Sequence, residues 1–132
     1  MAGTYTCKGN RMLDAGASTP LQATIVVKLD LDNAWLTASW TEKGVKLVDH
    51  RTFDDVSKQW TRFQLASDGS HAVLTSIGEK AGETVWEGTS ASSTGSVQQR
   101  HHEQLNGKEL KLWGEALLGG TWQKTYEAAC KR

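Results

Sequence analysis

The chain is poor in the features that mark helices, membrane spans and charged interfaces. It carries a single proline and two cysteines, and its fifteen Lys/Arg are balanced by fifteen Asp/Glu. That balance removes the basic stripe expected of a nucleic-acid binder and the polybasic patch that anionic lipid would attract. The longest apolar run, Ile25-Val26-Val27, is strand-sized and far below the roughly 18–20 residues of a spanning helix, so no membrane span is expected. The first residues lack a charged segment followed by an apolar one, so no signal peptide is expected in this sequence. Two cysteines with no histidine close in sequence cannot form a four-ligand zinc site. No Gly-x-Ser-x-Gly elbow, phosphate loop or dinucleotide fingerprint occurs. No cofactor is therefore expected, and no catalytic residue is assigned.

What the chain does have is tryptophan. Trp35, Trp40, Trp60, Trp86, Trp113 and Trp122 are spread over most of its 132 residues, among short stretches rich in Thr and Ser. Each brings a large apolar body and one N–H donor, so it either fills a core or lines a binding surface. The length suits one domain, 1–132, with a real core and no need of metal or several disulfides.

The local patterning reads as strand after strand. In Leu21–Leu31, Ala23, Ile25, Val27 and Leu29 share one face while Thr24, Lys28 and Asp30 share the other. Asp32-Asn33 signals a turn, with Ala34–Thr41 as the hairpin partner. Further strands are expected over Thr4–Asn10, Val45–Phe53, Trp60–Ala66, His71–Ile77, Thr84–Gly88, Gln98–Leu105, Glu109–Leu117 and Thr121–Cys130. Turn chemistry separates them at Glu42-Lys43-Gly44, Ser67–Ser70, Gly78–Glu83, Asn106-Gly107 and Gly119-Gly120. Arg11–Pro20 reads as a loop with room for a short helix or a lid, and Thr89–Gly95 as the most flexible segment. About ten strands with short connections make an up-and-down meander, and one apolar face per strand makes it curl. An all-β, closed antiparallel barrel is expected, with a two-sheet sandwich as the alternative.

Several segments also resemble a known family. Thr84-Val85-Trp86-Glu87-Gly88, the pair Glu109-Leu110 with Trp113 and Glu115, and Gly120-Thr121-Trp122 carry the resemblance in the second half. Tyr126–Arg132 at the end, and Gly3–Gly9 with Tyr5 where Trp is expected, complete it. Together they are similar to a bacterial family of uncharacterised small β-proteins of the DUF1579 type. The resemblance implies a lipocalin- or calycin-like barrel, often exported, and brings no catalytic motif. Cys7 and Cys130 fall where that family tends to place its two cysteines, which implies a disulfide; the alternative is two inert thiols. A disulfide means a periplasmic or secreted protein, and free thiols a cytoplasmic one. The centre departs from the family pattern, with Ser67–Ile77 replacing a Gly/Trp-rich middle.

Strand parity shapes the candidate site. Trp35 and Trp40 have opposite parity on one strand, so at most one points inward. Trp35, Trp60, Trp86 and Trp113 are expected to line a cavity for a flat or apolar ligand; the plainer reading is a packed core. Gln99, His101 and Glu103 share one face of their strand, and Gln98, Arg100, His102 and Gln104 the other, so either one polar row faces inward or the strand is edge-like and twisted into solvent on both sides. Arg100, His101 or Glu115 would then orient the ligand's polar end. Metal ligation is not expected, because adjacent His101 and His102 face opposite sides. Asp49, Arg51 and Phe53 share a face, most simply as surface carboxylates and ion pairs.

These residues suggest a binding protein, monomeric or homodimeric, for a small apolar or aromatic molecule. One alternative is a cofactor-free isomerase, cyclase or hydrolase of a hydrophobic metabolite, with one His or Glu moving a proton. Another is a barrel holding haem through one axial histidine.

Overall fold

The computed structural model describes residues 1–13 and 16–132. The described residues form eleven strands: β1 (Gly3–Met12), β2 (Ser18–Asp30), β3 (Trp35–Glu42), β4 (Val45–Asp54), β5 (Gln59–Ala66), β6 (His71–Ser76), β7 (Glu79–Lys80), β8 (Glu83–Ser92), β9 (Gly95–Asn106), β10 (Glu109–Leu118) and β11 (Thr121–Lys131). All pairings are antiparallel between sequence neighbours, except that β6 skips β7 to pair with β8, and β1 pairs with β11. Ten strands thus close an up-and-down barrel. The two-residue β7 is an added flap on β8.

The inward parity of each strand follows its sequence pattern. On β2, Leu21, Ala23, Ile25 and Val27 are buried, and Leu29 reaches past the barrel end to become exposed. Tyr5 and Cys7 on β1, Leu110 and Leu112 on β10, and Ala128 and Cys130 on β11 join them in the main apolar core. A smaller cluster of Ala72, Leu74 and Trp86 lies on β6 and β8. Asp32 and Asn33, whose short polar side chains tolerate left-handed backbone, make the turn into β3 at φ of 55° and 66°.

Cys7 and Cys130 stand directly opposite each other across the β1–β11 ladder, with Cα atoms 4.0 Å apart and their sulfurs bonded. The disulfide joins the first and last strands of the meander.

Two segments differ from their sequence reading. Arg11, Met12 and Ser18–Pro20 belong to strands, so the β1–β2 connection is shorter than expected; the lid suggested for it falls partly on Asp14 and Ala15, outside the described residues. Thr89–Ser92 continues β8, and Ser93-Thr94 forms a tight turn into β9. There, Ser92 Oγ accepts from the Thr94 amide at 3.3 Å. Among the described residues, no helix is long and apolar enough to cross a membrane.

Candidate functional site

The barrel encloses a cavity of about 530 Å³. Its mouth lies at the end where the β3–β4, β5–β6, β8–β9 and β10–β11 turns cluster, bordered by Val45, Ser70, His71, Ser92 and Leu118. Met1, packed on the core where its carbonyl accepts the Tyr5 hydroxyl at 3.0 Å, stands at the opposite end. The walls are largely aliphatic: Ile25, Val27, Ala38, Leu47, Ala72, Val97, Leu110, Leu112 and Ala116.

Against these walls lies a buried network of four charges. Arg51 and Arg62 face each other across the β4–β5 ladder and both point inward. Arg51 Nε donates to Asp49 Oδ1 at 3.0 Å, and its Nη1 reaches across the lumen to Glu103 Oε2 at 2.9 Å. Arg62 Nη2 lies 2.9 Å from Asp49 Oδ2, and its Nη1 lies 3.5 Å from Glu103 Oε1. All four residues are buried. The indole of Trp86, also buried, underlies both guanidinium groups, with Arg51 Cζ 5.1 Å and Arg62 Cζ 5.8 Å from its ring centroid. Two like charges side by side would repel, so the carboxylates and the indole face are what allow the arginines to sit together.

Burial alone would raise the Asp49 pKa, but Arg62 and Arg51 outweigh it and hold the carboxyl below its usual range. For Arg51, burial works against the charge, while Glu103 and Asp49 more than restore it. The network pairs two basic side chains with two acidic ones, so its formal charges balance.

Beside it sits a neutral polar group. His101 Nε2 lies 2.9 Å from Gln99 Oε1, and its Nδ1 lies 3.0 Å from the Tyr126 hydroxyl. With the Gln99 oxygen accepting, Nε2 carries the proton and Nδ1 accepts from Tyr126. Burial, together with repulsion by Arg62 and Arg51, pushes the His101 pKa down to about 3, so the ring is neutral at physiological pH. Burial raises the Tyr126 hydroxyl to about 12, which keeps it a proton donor.

Gly114 makes this contact possible. It lies on β10 between His101 on β9 and Tyr126 on β11, opposite both. A Cβ at Gly114 would lie 2.3 Å from Tyr126 Cε1, so the missing side chain opens the path along which the Tyr126 ring crosses β10. A register shift between Gly114 and Glu115 inserts an extra residue on β11 beside Tyr126, the usual device for re-aiming a side chain.

Near the mouth, Arg11 pairs with Glu42, which also accepts from Trp40 Nε1 at 3.1 Å. The Trp40 and Tyr126 rings meet edge-on at 6.3 Å.

The expected aromatic lining is absent, since among the tryptophans only Trp40 lines the cavity. Trp35 is on the outer face against Phe63, at 6.1 Å. Trp60 has inward parity but lies past the end of the cavity, exposed and edge-on to Phe53 at 5.3 Å. Trp86 points inward beneath the arginines. Trp113 faces outward, stacked on His102 at 4.7 Å, and Glu115 accompanies it outside, 2.6 Å from His102 Nε2. Arg100 is also outside, 3.8 Å above the Trp122 ring and paired with Glu87.

Gln99, His101 and Glu103 form the inward polar row, so of the three proposed orienting residues only His101 reaches the cavity. Trp40 was identifiable from its company: it shares a face with Leu36 and Ala38, whereas Trp35 shares one with Thr37 and Ser39. Asp49, Arg51 and Arg62 carried no comparable signal. Charged residues at alternate positions look the same whether they face water or one another across a lumen.

Comparison with known proteins gives no match to any protein-family model or to any curated protein. The resemblance to DUF1579-type proteins accordingly rests on the quoted residues alone.

Proposed function

We propose that the barrel is a binding protein for a small, largely apolar molecule held in its cavity. The observation carrying this reading is a 530 Å³ space, open at one end, whose aliphatic walls meet a confined set of fixed polar groups. That combination is how small-molecule sites gain affinity from apolar contact and orientation from a few hydrogen bonds. Trp40 and Tyr126 supply the aromatic contact, and His101 and Gln99 the polar anchor. As bonded, neither His101 nitrogen has a lone pair free for iron, which argues against haem at this site.

The disulfide favours an exported protein, since such bonds persist in oxidising compartments. Titration with 1-aminoanthracene tests the binding reading. Saturable binding with quenching of Trp40, lost in Trp40→Phe and blocked by the cavity-filling Ala116→Trp, is expected. A wild-type protein that binds neither this dye nor a library of apolar metabolites would refute it.

A second reading, acid–base catalysis without a cofactor, is favoured by the neutral His101 bonded to the Tyr126 hydroxyl inside the cavity. Turnover of a hydrophobic substrate abolished by both His101→Ala and Tyr126→Phe would establish it; binding that persists without turnover would leave a carrier.

A further inference from the structure

We infer that the cavity selects ligands with an uncharged, oxygen-bearing polar end and rejects both carboxylates and ammonium ions of the same shape. The inference rests on the binding reading above and narrows its ligand class. A pair of inward-facing arginines would ordinarily mark a carboxylate site. Here each guanidinium is already shared between Asp49 and Glu103.

The buried charge is therefore complete without a ligand. A bound carboxylate would leave one uncompensated negative charge in the lumen, and an ammonium ion one positive charge. Either ion would have to shed its water with no free counter-charge beside it, which costs more than the apolar contact returns. The Arg11 side chain nearer the mouth is likewise committed to Glu42.

What the cavity offers instead is neutral. Gln64, Gln99, His101 and Tyr126 line it with uncharged donors and acceptors. Arg62 Nε, itself buried, has no hydrogen-bond partner among the described residues. An unpartnered donor on a cavity-lining side chain calls for an oxygen acceptor, and a hydroxyl or carbonyl oxygen supplies one without adding charge.

The test is calorimetric binding at pH 7.5 of two matched series: 2-naphthylmethanol with 2-naphthoate and 2-naphthylmethylammonium, and decan-1-ol with decanoate and decylammonium. The alcohol of at least one series is expected to bind ten-fold or more tighter than both its ions. Glu103→Gln, which leaves one arginine charge unmatched, should shift the alcohol-to-carboxylate ratio toward the carboxylate by at least ten-fold. Arg62→Gln, which leaves one carboxylate unmatched, should shift the alcohol-to-ammonium ratio toward the ammonium ion by at least ten-fold.

If, in every series with a member that binds, the carboxylate or the ammonium ion binds wild-type protein within ten-fold of its alcohol or tighter, the selectivity is refuted while the binding site stands. If no member of either series binds, the binding reading fails with it. The wild-type comparison decides the question even if neither variant folds.

Discussion

Gly114→Ala tests the inner site most directly, because the change is one methyl group and its collision partner is known. The new Cβ would lie 2.3 Å from Tyr126 Cε1, 2.8 Å from Cδ1 and 3.0 Å from Thr125 Oγ1. The ring must swing away, and its hydroxyl then loses His101 Nδ1. Overpacking costs ~1–3 kcal/mol, and leaving two buried polar groups unpaired costs a further ~1–3 kcal/mol. Alanine's smaller unfolded-state entropy returns only ~0.4–1 kcal/mol. The net loss is about 3 kcal/mol, which lowers the urea midpoint by roughly 1–3 M at an unchanged slope.

Urea unfolding of the oxidised protein measures this, and a double-mutant cycle identifies the cause. With Tyr126→Ala already in place the ring is gone, and Gly114→Ala should cost less than about 1 kcal/mol, a coupling of about 2 kcal/mol or more. If the full loss persists in the Tyr126→Ala background, Gly114 serves the backbone and not the tyrosine, and the argument for the crossing path is refuted.

Three other outcomes follow from the same geometry. His101 has a lowered folded pKa, so below about pH 6.5 the unfolded chain takes up a proton that the folded one refuses; this contributes a loss of stability as pH falls, up to ~1.4 kcal/mol per unit, until the folded group titrates near 3. Its ring resonances should not titrate between pH 8 and 4, and a midpoint near 6 would contradict the burial described. Arg62→Met leaves a carboxylate unmatched and should cost ~3–5 kcal/mol, most of it recovered in Arg62→Met/Glu103→Leu, as read from denaturation midpoints. Replacing both cysteines with alanine should cost about 5 kcal/mol on the chain-entropy argument for a 123-residue separation, and a loss below 1 kcal/mol would remove that argument.

The barrel was legible because its strands alternate cleanly where one face is apolar, as in Leu21–Val27. Turn residues such as Asn106-Gly107 and Gly119-Gly120 fixed where neighbours pair. The polar row of Gln99, His101 and Glu103 was also legible as a row, and closure of the meander is what puts one face of that strand inside. Its partners were not. Arg51 meets Glu103 across the lumen, 52 positions along the chain, and no local pattern records that meeting. Trp113 and Arg100 misled for a related reason. Stacked on His102 and on Trp122, they satisfy their aromatic and cationic chemistry on the outer surface, where residue type alone gives no direction. Gly114 reads as a weak strand residue until the ring it admits is seen.

The bond between Cys7 and Cys130 has a consequence beyond stability. Among the described residues, the only strand with no neighbour at all on one side is β7, two residues long and bearing Glu79 and Lys80. Beyond it, only short stretches lack a second neighbour, such as Ser18–Gln22 of β2 and Thr121–Lys124 of β11, so another chain finds little template on which to add a strand. Opening the β1–β11 seam would unpair Thr6–Arg11 and Tyr126–Lys131 and leave two long edges at once. The covalent link across that seam therefore guards the protein against its own kind, and chemical reduction should show itself first as a loss of colloidal stability.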